Sequence, residues 1–223
     1  MVHTAVTPAI LSLQVGKPVL IAHGAKEVLS GIFKASTTDA VFAGANGLEG
    51  DGQGDLINHG GPDKAICVYS AARYPYWESE FGRPFLSGAF GENLTIGPWT
   101  EQELCIGDIV AAGEVLLQVS QPRQPCYKLG LRNELQELPV RVQQTGYSGF
   151  YFRVLKEGYL AAGEKLKIVE RHPAGITVME ANVIMYHQKE NESAILKLLS
   201  VKELAASWQE QLGKRLDKLR GGA

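Results

Sequence analysis

The sequence predicts a mainly β fold with helices, of the α+β class, in which a strand-rich body is followed by a small helical unit. Three observations carry this. From Ile10 to about Glu170, short runs rich in Val, Ile, Leu and aromatic residues are separated by glycines, and several alternate with period two. After "ERHPAG" the apolar spacing changes to that of helices. The chain has 223 residues and is 45% hydrophobic, enough to bury a core as one large domain or two unequal ones.

The strand candidates, in order, are "ILSLQV" (10–15), "VLSGIF" (28–33), "KAICVYS" (64–70), "VLLQVS" (115–120), "GFYFRVL" (149–155) and "KLKIVE" (165–170). Many short strands joined by glycine-containing turns favour a barrel or sandwich over a parallel α/β sheet. Two helices interrupt them, in "SAARYPYWESEF" (70–81) and "NELQELPVRVQQTG" (133–146). Pro75 and Pro139 must lie in the first turns of these helices or break them.

In the C-terminal part, Thr177 with Glu180 and Ser200 with Glu203 each match the S/T-x-x-E capping box, and Asn191 can cap a shorter helix between them. Val183 and Ile184, then Leu204, Trp208, Leu212, Leu216 and Leu219, supply the apolar faces. These faces serve packing, or the binding of a partner. The expected division is a β domain over residues 1–170 and a three-helix domain over 171–223, its helices running from Ile176 to Arg220.

A formal charge of −2 and a pI near 6.2 remove bulk positive charge as a basis for binding a nucleic-acid polymer, so any anion site must be a local cluster. No run approaches the roughly 18 apolar residues of a membrane span, and the N-terminus has no signal-peptide pattern. A cytoplasmic protein without a membrane anchor is the expectation.

The three cysteines, Cys67, Cys105 and Cys126, form neither a zinc-ligand spacing nor a disulfide framework. Cys126 differs from the others in its setting. In "SQPRQPCYKLG" (120–130), Pro122 and Pro125 stiffen the loop after a strand, and Arg123 and Lys128 are close enough in sequence to favour a thiolate if they are also close in space. The stretch reads equally as a structural cysteine beside a surface arginine. Cys67 and Cys105, in apolar runs, read as structural.

"GDGQGDLINHGGPDKAICVY" (50–69) sets acids, glycines, His59 and Lys64 ahead of a strand. It reads as a tight turn or as an anion cradle, but it has neither a Walker A nor a dinucleotide pattern. "GAFGENLTI" (88–96), with Glu92 and Asn93, is similarly open, and Lys34 reads as a surface lysine unless it points inward.

Taken together and in this order, "HGGPDKAICVY", "AFGENLTI", "IGDIV" and "LQVSQPRQPCYKL" resemble the MOSC domain, named for the C-terminal domain of molybdenum cofactor sulfurase. The helical tail resembles that of the stand-alone bacterial YiiM-like members linked to hydroxylaminopurine resistance. The resemblance spans about Leu13 to Val169 for the MOSC part, with the helices after it.

It implies a MOSC-type β-barrel and a molybdenum cofactor (molybdenum–molybdopterin) in a basic groove. The cysteine matching Cys126 would be the protein ligand to molybdenum. Lys34, His59, Lys64, Asn93 and Arg123 would serve the cofactor. A soft thiolate suits a metal already held by dithiolene sulfurs, and Arg and Lys suit phosphate and pterin oxygens.

The implied activity is that of an oxidoreductase, reducing the N–O bond of N-hydroxylated base analogues such as 6-hydroxylaminopurine and so detoxifying them. Cys126 would act with His59, which can titrate near neutral pH, as proton donor. The chain carries no flavin, haem or iron–sulfur signature, so an external flavoprotein reductase is the expected electron donor. The rival reading is a cofactor carrier or sulfur-transfer protein without turnover. A third, a Cys–His hydrolase, needs Cys126 and His59 within hydrogen-bond reach.

Overall fold

The computed structural model describes residues 6–56 and 60–221. An eight-stranded mixed sheet is its centre. In spatial order it runs β13 (Leu166–Glu170), β9 (Ile109–Ala112), β10 (Val115–Pro122), β11 (Phe150–Lys156), β7 (Ile66–Ser70), β8 (Leu94–Gly97), β1 (Ala9–Val15) and β4 (Ala35–Thr37). All pairs are antiparallel except β7 and β8, which helix α1 (Tyr74–Phe81) connects as a crossover.

The sheet curls so that the start of β1 meets the residues leading into β13. Ile10 N donates to Glu164 O (2.9 Å), Gly163 N to Ile10 O (2.8 Å) and Leu166 N to Pro8 O (2.8 Å), which leaves few unpaired edge groups at that seam. Small satellites flank the sheet: the hairpin β2 (Val19–His23) and β3 (Lys26–Ser30), and a ladder of β12 (Gly158–Leu160), β5 (Val41–Gly44) and β6 (Gly47–Leu48).

All six strand candidates contain a strand, although "VLSGIF" stops at Ser30, because Gly31 packs against another glycine-bearing segment. Both predicted interrupting helices form, as α1 and as α3 (Leu138–Thr145), each with its proline in the first turn. The sequence reading missed α2 (Tyr127–Asn133), which starts directly after Cys126.

The tail consists of α4 (Val178–Tyr186), α5 (Glu192–Leu199) and α6 (Ala206–Gly221). Thr177 and Glu180 form the expected reciprocal capping box, and Asn191 caps α5. The Ser200–Glu203 box does not form. Ser200 Oγ instead donates to Lys197 O, Glu203 pairs with His172 (3.0 Å), and α6 begins only at Ala206. The physical reason is an acceptor for the helix start supplied by the turn before β7: Asp63 Oδ2 accepts from Ala206 N (2.9 Å).

Asp63 also accepts from Arg153 Nε (2.9 Å), and its carbonyl accepts from Ser120 Oγ (2.5 Å). One side chain thus ties the turn Pro62–Lys64 to β11 and α6. Asp63→Ala is expected to destabilise the protein by about 2–3 kcal/mol, the sum of a lost helix-start acceptor and a broken half-buried ion pair. Asp63→Asn, which keeps an acceptor, should lose less. Urea denaturation of the two variants checks the order.

The tail is not a detached body. Val178, Ile184, Leu198, Trp208 and Leu212 share one apolar cluster with Ile10, Leu94, Leu117 and Phe152 of the sheet. A second, aromatic cluster, with Tyr69, Trp77 and Phe90 at its centre, packs α1, α2 and α3 on the outside of the sheet. Among the described residues no helix is long and apolar enough to cross a membrane.

Candidate functional site

Strand alternation places the site. On β7, Ile66 and Val68 enter the main core, so Cys67 and Tyr69 face the other side. On β11, Phe150 and Phe152 enter the same core, and Tyr151, in register with Cys67, faces outward beside it. Around this outer face, the loop after β10, the segment before β8, the hairpin β2–β3 and the stretch 51–55 close a cleft of about 580 Å³, its open mouth included.

Lys34, Lys64, Asn93, Arg123 and Cys126 all line this one cleft, together with Asp51, Asp55, Cys67, Lys128 and Tyr151. His59 lies outside the described residues. Among the described residues four cations face two carboxylates, so the cleft is a local positive cluster on a chain of net negative charge.

Cys126 is half-buried in extended conformation at the N-cap of α2, and its side chain makes no capping hydrogen bond. Pro122 and Pro125 hold the four residues from the end of β10 to the helix start, and Arg123 N donates to Gly149 O (3.0 Å). The Arg123 side chain is only 6% exposed, yet its Nη1 has no partner among the described residues. A buried guanidinium nitrogen without an acceptor is costly unless a ligand supplies one.

Lys34 does point inward, but it is paired with Asp51, both side chains almost fully buried. Asn93 is engaged on every side: Oδ1 accepts from Cys67 N (3.0 Å), and Nδ2 donates to Asp51 Oδ2 (2.8 Å) and Gln14 O (3.2 Å). In this geometry Asn93 clamps Asp51 to β7, and Lys34 is neutralised. Lys64, Lys128 and Arg123 supply the rest of the positive charge in the cleft.

Burial lowers the pKa of the Lys64 ammonium from its ordinary value, with Asp63 and Asp55 acting against it. Burial pushes the Cys67 thiol up to about 11, only partly offset by Arg123, and raises Tyr151 well beyond its ordinary value. Cys67 is therefore a neutral wall of the cleft at physiological pH.

Glu92 of the GEN segment is fully buried and accepts from Tyr74 Oη, Thr95 Oγ1, Gly88 N and Phe90 N, all at 2.7–3.0 Å. It fixes the loop that delivers Asn93. Gly91 in that loop has φ 71, and a Cβ there would meet Ile32 Cγ1 at 2.4 Å, so only glycine lets the two rims of the cleft approach this closely.

Sequence reasoning missed Cys67, Asp51 and Tyr151 as cleft residues. The first two lay in stretches already singled out. Tyr151 had only its register opposite Cys67, which needs the sheet pairing to be known.

Among the described residues, no group of three His, Cys, Asp or Glu could hold a metal ion. Cys126 could give one soft bond to a metal that brings its other ligands. Arg123 Nη1, buried and free to donate, fits an anionic group of such a cofactor.

Residues 55–167 match the MOSC domain model, and residues 176–219 match that of the YiiM-like, 3-alpha helix domain. The chain is 47% identical over 211 residues to the uncharacterized protein YflK of Bacillus subtilis, covering 95% of this chain and 96% of that protein. It is 38% identical over 149 residues to a protein of Gibberella moniliformis named "Reductase", covering 65% of this chain but 26% of that longer protein. The crystal structure of YiiM from Geobacillus stearothermophilus superposes with a TM-score of 0.81 at 42% identity, covering 94% of this chain and 99% of the other. Matched along nearly its whole length, the chain belongs to the MOSC domain family, in the form that carries the YiiM-like three-helix domain.

Proposed function

We propose that this protein is a molybdenum-cofactor-dependent reductase of N-hydroxylated compounds, hydroxylaminopurines among them. The observation that carries the reading is the cleft in which the Cys126 thiol shares a wall with the buried Arg123 guanidinium, whose Nη1 has no partner among the described residues. Membership of the MOSC family and similarity to part of a protein named a reductase support it.

The overall reaction is R–NH–OH + 2 e⁻ + 2 H⁺ → R–NH₂ + H₂O. The N–O bond breaks, the oxygen leaves as water, and an external flavoprotein supplies the electron pair. A molybdenum–pterin cofactor, when bound, supplies the two-electron couple.

The chain's own residues hold and orient. Cys126 offers the thiolate ligand, Arg123 donates to the cofactor's anionic groups, and the Asn93–Asp51–Lys34 cluster keeps the wall rigid. Lys64, beside Cys126 and with its pKa lowered by burial, is placed to give a proton to the departing oxygen.

The test is to produce the protein in a host that makes molybdenum cofactor, measure bound molybdenum, and follow reduction of 6-hydroxylaminopurine with a chemical reductant. Bound metal with turnover is the expected result. Metal without turnover on several N-hydroxylated substrates identifies a carrier, and no metal at all overturns the reading.

A further inference from the structure

A second cleft adjoins the first. It measures about 1350 Å³ with its open mouth, and it shares Asp55, Lys64, Cys126, Lys128 and Tyr151 with the inner one. Cys126 thus stands at the junction of two chambers. The inner chamber has the buried Arg123 and the Lys34–Asp51 pair; the outer one has neither.

The outer wall comes from the tail. Ser207, Glu210, Gln211 and Lys214 fall at i, i+3, i+4 and i+7 of α6, one helix face, and all line the chamber. The opposing wall is the Cys126 loop itself, through Gln121, Gln124 and Pro125. The two walls touch by side chains: Gln124 Nε2 donates to Gln211 Oε1 (3.1 Å), and Ser207 Oγ donates to Gln121 Oε1 (3.2 Å).

The chemistry of this wall is unlike that of the inner cleft. Glu210 and Lys214 neutralise each other (2.5 Å), and the remaining α6 groups are an amide and a hydroxyl. Amides donate and accept along one edge, which suits a neutral heterocycle with ring nitrogens and an exocyclic N–O group better than a phosphate. Tyr127, stacked on His23 (4.5 Å), adds an aromatic surface at the same chamber.

We propose that this outer chamber is the substrate subsite, taking a neutral planar N-hydroxylated heterocycle, and that Gln124 and Gln211 are its specificity-determining side chains. The inference rests on the proposed reductase function for the identity of the substrate, but not for the existence of the subsite. It gives the helical domain a role in the site: α6 supplies the wall that selects what reaches Cys126.

Gln211 is exposed on the helix, so replacing it leaves the core untouched. The experiment is a calorimetric titration of the protein, without reductant, with 6-hydroxylaminopurine as probe. Wild type is compared with Gln211→Trp, which fills the chamber, and with Gln124→Ala/Gln211→Ala, which removes both amides. Molybdenum content is measured on every sample.

The expected result is binding by wild type, weakened roughly tenfold or more in both variants, corresponding to about 1.4 kcal/mol, at unchanged molybdenum content. Equal affinity in Gln211→Trp and wild type, or no binding by wild type, overturns the subsite. Metal that loads normally while Gln211→Trp binds as wild type sinks the subsite and leaves the reductase reading standing. Probe binding that Gln211→Trp abolishes in protein that never takes up molybdenum does the reverse.

Discussion

Cys126→Ser is expected to lower bound molybdenum and turnover together, each by at least about 100-fold, while leaving the fold intact. Loss of a group that merely orients a metal ligand already costs 10- to 100-fold in affinity or activity, and removing the soft ligand itself should cost no less. The structural cost is small, because the Cys126 side chain makes no capping hydrogen bond and serine is a better N-cap than cysteine for α2. Melting temperature should therefore stay level or rise slightly. Cys105→Ser, a change outside both clefts, is the control and should keep its metal. Retained metal in Cys126→Ser, or metal lost only in Cys67→Ala, would move the ligand assignment to the other thiol of the cleft.

The contrast between these two thiols also shows what could be read from the sequence and what could not. Cys126 stands out because prolines on either side of Arg123 and Gln124 signal a stiff loop, and the loop runs from the end of β10 to the N-cap of α2 with Arg123 N donating to Gly149 O (3.0 Å). Cys67 lies inside the apolar run "AICVY", which reads as the setting of a buried structural cysteine. Every residue of β7 is in fact buried, with the main core on one face and the cleft and aromatic cluster on the other. Period two cannot reveal which face holds a site when both faces are covered.

The helices divide in a similar way. Thr177 and Glu180 lie within one turn, so their capping box is a local property that the sequence carries. The start of α6 is not local: its acceptor is Asp63, 143 residues away, and that contact displaced the Ser200–Glu203 box. The outer chamber was out of reach for the same reason, since it needs the spacing of Ser207 and Gln211 along α6 and also the docking of that helix on the Cys126 loop. That docking includes the bond from Ala205 N to Ser120 O (2.9 Å).

Arg123→Met should make the ligand-free protein more stable and the cofactor-loaded protein harder to obtain. The guanidinium is buried, its Nη1 lacks an acceptor among the described residues, and its neighbours Cys67 and Tyr151 are held protonated at neutral pH, which leaves Glu92, with Cys126, as the countercharge acting against its desolvation. A buried donor left without a partner costs about 1–3 kcal/mol, which an apolar side chain of similar length recovers. For a chain of this size that corresponds to a rise in melting temperature of roughly 2–12 °C. The same substitution removes a charge-assisted donor from the inner cleft, so molybdenum retention during dialysis should fall by about 10- to 100-fold, equivalent to the roughly 1.5–3 kcal/mol of such a bond. The opposite signs of the two effects make the test discriminating. A purely structural arginine would lose stability when truncated and leave cofactor retention unchanged. An arginine kept for a ligand holds the folded chain below its attainable stability, and binding the anion restores the difference.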